Sequence, residues 1–213
     1  MKREELFHYV DHTALKAYVT WEEIRKLCRE AVQYGMASVC IPGSYVKRAH
    51  EAFPDLNICT VVGFPPGNTS THAKLEETRQ ALADGASEID MVIHIGMVKS
   101  GEYDDVTEEI RLLKKAVGDE ILKVIIETCY LTEKEKIRMC RAVTEAGADY
   151  IKTSTGIGTG GAALEDVKLM REHIGPEVRI KAAGGIRSRE EMGDYIAAGC
   201  SRIGTSSAIS MLR

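Results

Sequence analysis

The fold is decided by the stretch Gly147-Ala148-Asp149-Tyr150-Ile151-Lys152-Thr153, where a predicted helix ends and a short, mostly apolar strand begins. Glycine suits the position after a helix, because it adopts the left-handed backbone conformation there without steric cost. The same order of helix, glycine, short link and strand recurs at Gly35, Gly85 and Gly199, which spaces the four glycines by 50, 62 and 52 residues. Each interval is long enough for two strand–helix units, so the repeat predicts about eight units.

Short apolar runs alternate with amphipathic stretches along the whole chain, and this alternation is typical of βα units with a parallel sheet. The predicted strands are Tyr9–Thr13, Ser38–Ile41, Asn57–Val62, Glu88–Ile93, Ile121–Ile126, Tyr150–Thr153, Val178–Ala182 and Ser201–Gly204. Eight units favour a closed (β/α)8 TIM barrel over the alternative, an open doubly wound α/β sheet. We therefore predict an α/β chain with one TIM-barrel domain over residues 1–213.

Three predicted helices begin with the same capping signal. Thr20, Thr132 and Ser188 are each followed three residues later by glutamate. In such a capping box the hydroxyl and the glutamate satisfy backbone N–H groups that the first helical turn leaves free. These positions therefore mark three helix starts between predicted strands.

Composition and charge exclude several classes of function. The 213 residues are 44% hydrophobic and 28% charged, with a net charge of −4. No basic stripe indicates a nucleic-acid partner, and no apolar run approaches the roughly 20 residues of a membrane helix. The start, Met1–Glu5, lacks the apolar segment of a signal peptide. We expect a cytoplasmic protein.

The cysteines and histidines do not suggest a metal site. There are six of each, without a C-x-x-C pair or an H-E-x-x-H motif. Most of the cysteines lie in apolar patterns, which predicts buried, reduced thiols. The cysteines are Cys28, Cys40, Cys59, Cys129, Cys140 and Cys200.

Two successive predicted strands end in lysine, in Tyr150-Ile151-Lys152 and Arg179-Ile180-Lys181. A single lysine at a strand end is most simply a solvated side chain. Two of them would meet at the mouth of a barrel, where active sites of this architecture lie. A neighbouring cation and partial burial both disfavour the protonated form of a lysine, and a neutral amine is the nucleophile of Schiff-base catalysis. The spacing leaves open whether Lys152 or Lys181 is that nucleophile.

A carboxylate interrupts the apolar strand Glu88–Ile93 at Asp90. A buried acid requires partners, which the two lysines would provide. We expect Asp90 to act as a general acid or base, directly or through a water, and a structural ion pair is the alternative.

Glycine-rich segments follow the last two predicted strands. Loops at this place in TIM barrels commonly bind phosphate through backbone N–H groups and a helix N-terminus. The sequence therefore predicts a phosphate site, with tight turns as the alternative reason for the glycines. The candidate residues are Gly184, Gly185, Gly204, Ser206 and Ser207.

The segment Gly156–Gly161 satisfies the dinucleotide pattern G-x-G-x-x-G, but its context argues against a Rossmann fold. Only 52 residues follow it, and the next strand carries Lys181 where an acidic residue for ribose is expected. We interpret the segment as a loop near the substrate.

Taken together, these motifs resemble the 2-deoxyribose-5-phosphate aldolase family of class I Schiff-base aldolases over nearly the whole chain. The specific segments are Lys152-Thr153-Ser154-Thr155-Gly156 and Lys181-Ala182-Ala183-Gly184-Gly185-Ile186-Arg187. Val10–Thr13, Val62–Gly67 and Glu88–Ile93 are also similar to the family's motifs. The resemblance implies a metal-free and cofactor-free lyase of deoxyribonucleotide catabolism. Its substrate would be 2-deoxy-D-ribose 5-phosphate, and a homo-oligomer is compatible with it.

The resemblance also implies roles for individual residues. Lys152 corresponds to the Schiff-base lysine, Lys181 to the lysine that perturbs it, and Asp90 to the proton-transfer carboxylate. Thr155 joins the candidate phosphate-binding residues. Further candidate site residues are Asp11 and Cys40, and Cys40 is expected to meet reactive aldehydes.

The chain departs from the family's sequence pattern at Ile157, and three rival functions remain open at the level of sequence. Some relatives have a lysine near the phosphate where this chain has Ile157. The rivals are a Schiff-base aldolase for another phosphorylated sugar, a barrel that only binds a sugar phosphate, and a metal-dependent aldolase.

Overall fold

The computed structural model describes residues 2–212, and its centre is a closed barrel of eight parallel strands in the order β1 to β8. The last strand pairs with the first, so no strand edge is left open. The strands are β1 (Val10–Thr13), β2 (Ser38–Ile41), β3 (Ile58–Val62), β4 (Glu88–Val92), β5 (Ile121–Ile125), β6 (Tyr150–Lys152), β7 (Arg179–Ala183) and β8 (Cys200–Thr205).

Helices connect the strands and surround the barrel. They are α1 (Arg3–Phe7), α2 (Trp21–Tyr34), α3 (Val46–Ala52), α4 (Thr71–Ala83), α5 (Ile95–Ser100), α6 (Tyr103–Val117), α7 (Glu133–Glu145), α8 (Leu164–His173), α9 (Arg189–Ala197) and α10 (Ala208–Leu212). Short 3-10 turns precede α3 and α7. None of the helices in residues 2–212 combines the length and apolar character needed to cross a membrane.

This architecture confirms the predicted TIM barrel and rules out the open sheet. The capping boxes at Thr20, Thr132 and Ser188 are present, each with its glutamate. The glycines that follow helices also behave as predicted, since Gly35 and Gly147 have φ values of 61° and 74°. Local capping chemistry therefore sets where these helices begin and end.

The prediction that two strands end in lysine is correct for Lys152 and wrong for Lys181. Strand β6 ends at Lys152, but β7 continues past Lys181 to Ala183. Lys181 is fully buried as a result. The predicted strand Val178–Ala182 already includes Lys181, and the structure extends β7 to Ala183. Inside the barrel, Asp11 and Asp90 neutralise the charge of Lys181.

Side chains that face into the barrel and side chains that face the helices differ in polarity. In β4, Ile89 and Met91 belong to the apolar cluster that joins the strands to the surrounding helices, whereas Glu88 and Asp90 contact charged groups of other strands. Parallel strands of a barrel are usually apolar on both faces. Here the interior of the barrel is polar, which places the candidate site residues together.

Candidate active site

Asp90 lies at the centre of a group of three lysines. Its Oδ2 atom accepts hydrogen bonds from Nζ of Lys152 and from Nζ of Lys181, each at 2.7 Å. Its Oδ1 atom accepts a third from Nζ of Lys123 at 3.0 Å. The strand register explains the arrangement, because Lys152 pairs with Lys181 and Asp90 pairs with Lys123 on adjacent strands. The structure therefore brings together the three residues predicted to be catalytic.

A second set of charges surrounds this centre. Asp11 forms an ion pair with Lys181, with Oδ2 and Nζ 2.5 Å apart, and Glu88 forms one with Lys123, also at 2.5 Å. Arg202 bonds to both acids, and its Nη2 lies 2.9 Å from Oε1 of Glu88. Asp11 also accepts a hydrogen bond from Ser38 at 2.8 Å.

The charges in this network do not balance when every group is ionised. It contains four basic side chains and three acidic ones, and these seven residues are linked by ion pairs of 4.0 Å or less. The net charge of the ionised set is thus one positive charge. The basic groups are Lys123, Lys152, Lys181 and Arg202, and the acidic groups are Asp11, Glu88 and Asp90.

The electrostatic balance keeps the inner groups ionised. Burial would raise the pKa of Asp90, but attraction to Lys123, Lys152 and Lys181 outweighs burial and holds the pKa well below its usual value. Burial would lower the pKa of Lys181, but attraction to Asp11 and Asp90 outweighs it and raises that pKa. Lys181 is therefore a permanent cation beside Asp90 at neutral pH.

A cavity of about 700 Å³ opens above this network. Lys152 lines the cavity, together with Ala183 and Gly204 from the ends of β7 and β8. Asp90 and Lys181 are not among the lining residues that the structure describes. Lys152 is therefore the lysine of the central group that a ligand reaches first.

The candidate phosphate-binding residues line one side of the same cavity. They are Gly184, Gly185, Gly204, Ser206 and Ser207. The φ values of Gly184 and Gly185 are 87° and 81°, and this backbone conformation favours glycine. At Gly204 a Cβ atom would lie 2.9 Å from Cβ of Ala183 and 3.3 Å from Cε of Lys181, so a larger side chain would displace the lysine. The amide of Ser207 already donates to Oγ1 of Thr205 at 3.1 Å.

Thr155 also lines the cavity, but its donors are directed elsewhere. Its amide donates to Oε1 of Glu127 at 3.1 Å, and its hydroxyl donates to Oε2 of the same carboxylate. Its Oγ1 in turn accepts a hydrogen bond from the amide of Ile157 at 3.1 Å. In this arrangement Thr155 shapes the wall of the cavity and has no free donor for a phosphate.

Cys40 is buried beside the charged centre. Its thiol, the thiol of Cys59 and a carboxylate oxygen of Asp90 lie within 4.8 Å of one another. This is a geometry in which a metal ion can be held, but Asp90 is already bonded to three ammonium groups, which disfavour a cation. Cys40 is fully buried and is not among the described lining residues, so contact with aldehydes would require a movement of the barrel wall.

The comparisons with known proteins agree with this geometry. A family model described as DeoC/LacD family aldolase matches residues 6–210. The chain belongs to the DeoC/LacD aldolase family. It is 62% identical to a deoxyribose-phosphate aldolase of Clostridium botulinum (strain Alaska E43 / Type E3), over 100% of this chain and 97% of the relative. It is 56% identical to one of Clostridioides difficile (strain 630), over 96% of this chain and 94% of the relative.

Solved structures from the family share the fold. One is the tetrameric deoxyribose phosphate aldolase from Aeropyrum pernix, which is 32% identical to this chain. The two structures have a TM-score of 0.88, and the match covers 99% of this chain and 91% of the other. The family membership therefore holds in both sequence and structure.

Sequence reasoning missed several members of the site of this DeoC/LacD aldolase. Lys123 lies in an apolar strand, as Asp90 does, and the same signal could have found it. Arg202 carries a similar signal in β8, whereas Glu88 was read as a strand start. Glu127 follows β5 without any local pattern, so only the structure connects it to Thr155.

Proposed function

We propose that this protein is a deoxyribose-phosphate aldolase of deoxyribonucleotide catabolism. It reversibly cleaves 2-deoxy-D-ribose 5-phosphate to D-glyceraldehyde 3-phosphate and acetaldehyde, with Lys152 forming a Schiff base. One observation carries the proposal: a lysine lines a deep cavity while its Nζ lies 2.7 Å from a buried carboxylate shared with a second lysine.

Two observations favour Lys152 over Lys181 as the nucleophile. Lys152 lines the cavity, and within residues 2–212 its one ion pair is with Asp90, whereas Lys181 contacts both Asp11 and Asp90. Loss of one proton from Lys152 leaves three cations facing three carboxylates inside the barrel. Lys181 thus supplies the fixed positive charge of the network, and Lys152 is the amine placed to meet an aldehyde in the cavity.

The chemistry begins with attack of the Lys152 amine on the C1 aldehyde of the open-chain sugar. The carbinolamine loses water and becomes an iminium ion. A base then removes the proton of the C3 hydroxyl, the C2–C3 bond breaks, and its electron pair forms the enamine as the iminium nitrogen becomes neutral. Glyceraldehyde 3-phosphate leaves, C2 is protonated, and water releases acetaldehyde and restores the amine of Lys152.

Asp90 acts as the centre of proton transfer. Because Asp90 does not line the cavity, the proton of the C3 hydroxyl reaches its carboxylate through a water at the cavity floor. Three ammonium groups make this carboxylate a weak base in the free enzyme. When the side chain of Lys152 becomes an iminium ion, its nitrogen carries one N–H, and Lys181 remains the fixed donor to Oδ2 of Asp90.

The phosphate of the substrate binds to the glycine loops after β7 and β8. Gly184 and Gly185 line the cavity after β7 without a Cβ atom, Gly204 lines it from the end of β8, and the exposed Ser206 adds a hydroxyl after that strand. The family relationship supports an orientation with the aldehyde at Lys152 and the phosphate at these loops, which line the same cavity. No step in this mechanism requires a metal or an organic cofactor.

We also propose that the protein forms a homo-oligomer and works in the cytoplasm. The tetrameric relative from Aeropyrum pernix supports self-association. Light scattering after size-exclusion chromatography measures the assembly, and a mass of one chain would contradict it.

The test is a cleavage assay that measures both aldehyde products. Wild-type protein cleaves 2-deoxyribose 5-phosphate after exhaustive chelation, and Lys152→Met loses at least about four orders of magnitude in turnover because no covalent route remains. Lys16→Met is the matched control, since Lys16 lines the cavity away from the charged network. Preference for another phosphorylated sugar, or activity that disappears with chelation, would contradict the proposal.

A further inference from the structure

Glu127 has an unusual backbone conformation directly after β5. Its φ of 52° makes it the single non-glycine residue with a positive φ among residues 2–212. A residue with a Cβ atom is held in this conformation against a steric penalty, so the surrounding structure must fix it. The side chain is buried, with 2% of its surface exposed. A buried acid in a strained conformation points to a specific task for the carboxylate.

The carboxylate of Glu127 is used entirely by the loop between β6 and α8. The amide of Thr155 donates to both of its oxygens, at 3.1 and 3.3 Å, and the hydroxyl of Thr155 donates to Oε2. No basic side chain forms an ion pair with Glu127 in the part of the chain that the structure describes. Thr155 extends this hydrogen-bond chain to Ile157, because its Oγ1 accepts a hydrogen bond from the amide of Ile157 at 3.1 Å.

This loop has few other means of holding its shape. It contains glycine at positions 156, 158, 160 and 161, which allow many backbone conformations. Its far end is fixed where the amide of Ala162 donates to the carbonyl of Gly184 at 3.0 Å and where the hydroxyl of Tyr195 donates to the carbonyl of Ala162 at 2.8 Å. Its near end is fixed by Glu127. The loop therefore links the ends of three successive strands around the cavity.

On the basis of the proposed aldolase function, we infer that Glu127 is a positioning residue that holds the β6–α8 loop as the cavity wall beside Lys152. Thr155 and Ile157 line the cavity, whereas Glu127 is not among the described residues that do so. Glu127 thus acts through Thr155 and does not touch the reacting atoms. It determines how well a long sugar phosphate is bound, and it has little influence on the reactivity of the amine.

The variant Glu127→Gly tests this role with a residue that tolerates the backbone conformation. Glycine adopts the left-handed conformation without strain, so the variant removes the whole side chain with its carboxylate and leaves that conformation accessible. KM for 2-deoxyribose 5-phosphate rises by about tenfold or more, the ratio expected for a lost hydrogen bond to a charged group. The kcat changes much less than KM. Acetaldehyde, which is too short to need the loop, is trapped on Lys152 by borohydride with the wild-type yield.

Two controls separate positioning from a general loss of structure. Glu127→Gln keeps an acceptor for the amide of Thr155 and recovers part of the lost affinity. Glu133→Gln changes an exposed glutamate near the start of α7 and leaves KM unchanged. A wild-type KM in Glu127→Gly would overturn the inference, as would a loss of acetaldehyde trapping equal to the loss of sugar-phosphate cleavage.

Hydrogen exchange tests the inference separately from the proposed function. The amides of residues 155–162 exchange faster in Glu127→Gly than in wild type, whether or not the protein cleaves the sugar phosphate. Unchanged exchange in that segment would overturn the positioning role. Wild-type protein that neither cleaves 2-deoxyribose 5-phosphate nor traps acetaldehyde would contradict the aldolase function alone.

Discussion

The inside of the barrel and the layer around it are built from the same strands but have opposite chemistry. On β4, Ile89 and Met91 lie in the apolar cluster shared with the helices, while Glu88 and Asp90 are bonded to lysine and arginine inside the barrel. All four side chains are buried. Burial alone therefore does not distinguish a structural residue of this protein from a functional one.

The comparison shows that stability and reactivity are assigned to different faces of one sheet. Apolar side chains between strands and helices supply most of the stabilising free energy, because burying apolar surface contributes about 25 cal/mol per Å². Burying ionised side chains inside the barrel costs desolvation free energy. Ion pairs offset this cost only when every charge has a partner of opposite sign. A protein that keeps such an interior gains a site where one lysine faces the cavity beside a fixed cation and a buried carboxylate.

Removal of the shared carboxylate is the change expected to have the largest effect. Asp90→Asn leaves three lysines without their common acceptor, and turnover falls by about 10²–10⁴-fold, the contribution of a positioned proton-transfer group. The free energy of unfolding falls by about 3–5 kcal/mol because buried charges lose their partner. Steady-state kinetics and denaturant unfolding measure the two effects, with the exposed Asp119→Asn as control.

If Asp90→Asn were as stable and active as Asp119→Asn, Asp90 would have no role in catalysis or stability. An intermediate outcome, with lost turnover and unchanged stability, would place Asp90 in catalysis only.

Replacement of the second lysine is expected to have the next largest effect. Lys181→Leu removes the fixed cation beside Asp90, and a neighbouring cation in general disfavours the protonated form of a lysine. Turnover at neutral pH falls by about 100-fold, and the acidic limb of the pH–rate profile moves to higher pH. Measurement of kcat/KM from pH 5 to 9 checks this, and an acidic limb at the wild-type position would contradict it.

Acid is expected to lower the stability of the protein through the charged interior of the barrel and not through the apolar layer between strands and helices. Burial raises the pKa of Asp11, but attraction to Lys181, Lys123 and Arg202 outweighs burial and depresses it. A depressed pKa stabilises the fold above the unfolded-state value of about 3.9, and this stabilisation is lost as the pH falls through the lower folded-state value. Asp11→Asn therefore has a free energy of unfolding that is lower at pH 7 and changes less between pH 5 and 2 than that of wild type.

Chemical denaturation at several pH values measures this difference. Parallel curves for Asp11→Asn and wild type would show that Asp11 contributes no pH-dependent stability.

A change on the outward face is expected to be the smallest. Ile89→Val removes one buried methyl group from the apolar cluster and lowers the free energy of unfolding by about 0.5–1.5 kcal/mol. The kcat and the pH–rate profile stay at their wild-type values, because the strand still presents Glu88 and Asp90 inward. A pH–rate profile shifted by Ile89→Val would mean that the two faces are not independent.

The sequence predicts much of this arrangement, and its errors have physical causes. Strand–helix alternation predicts the barrel, and the positions of Lys152 and Asp90 in apolar strands predict their meeting. The depth of Lys181 was not predicted, because it depends on neutralisation by Asp11 from a distant strand. Lys123 was missed although its strand carries the signal that identified Asp90.

Contacts between distant loops could not be predicted from spacing. The bond between Glu127 and Thr155 joins residues 28 positions apart and depends on the left-handed backbone of Glu127, which glutamate does not usually adopt. The role of Thr155 at the phosphate site stays a prediction, and in this structure its donors already have an acceptor in Glu127.

Borohydride reduction in the presence of 2-deoxyribose 5-phosphate, followed by peptide mass analysis, tests the central claim most directly. A neutral amine at Lys152 predicts one stable adduct per chain, on the peptide that contains Lys152, and none in Lys152→Met. An adduct on Lys181, or no adduct while cleavage proceeds, would contradict the claim.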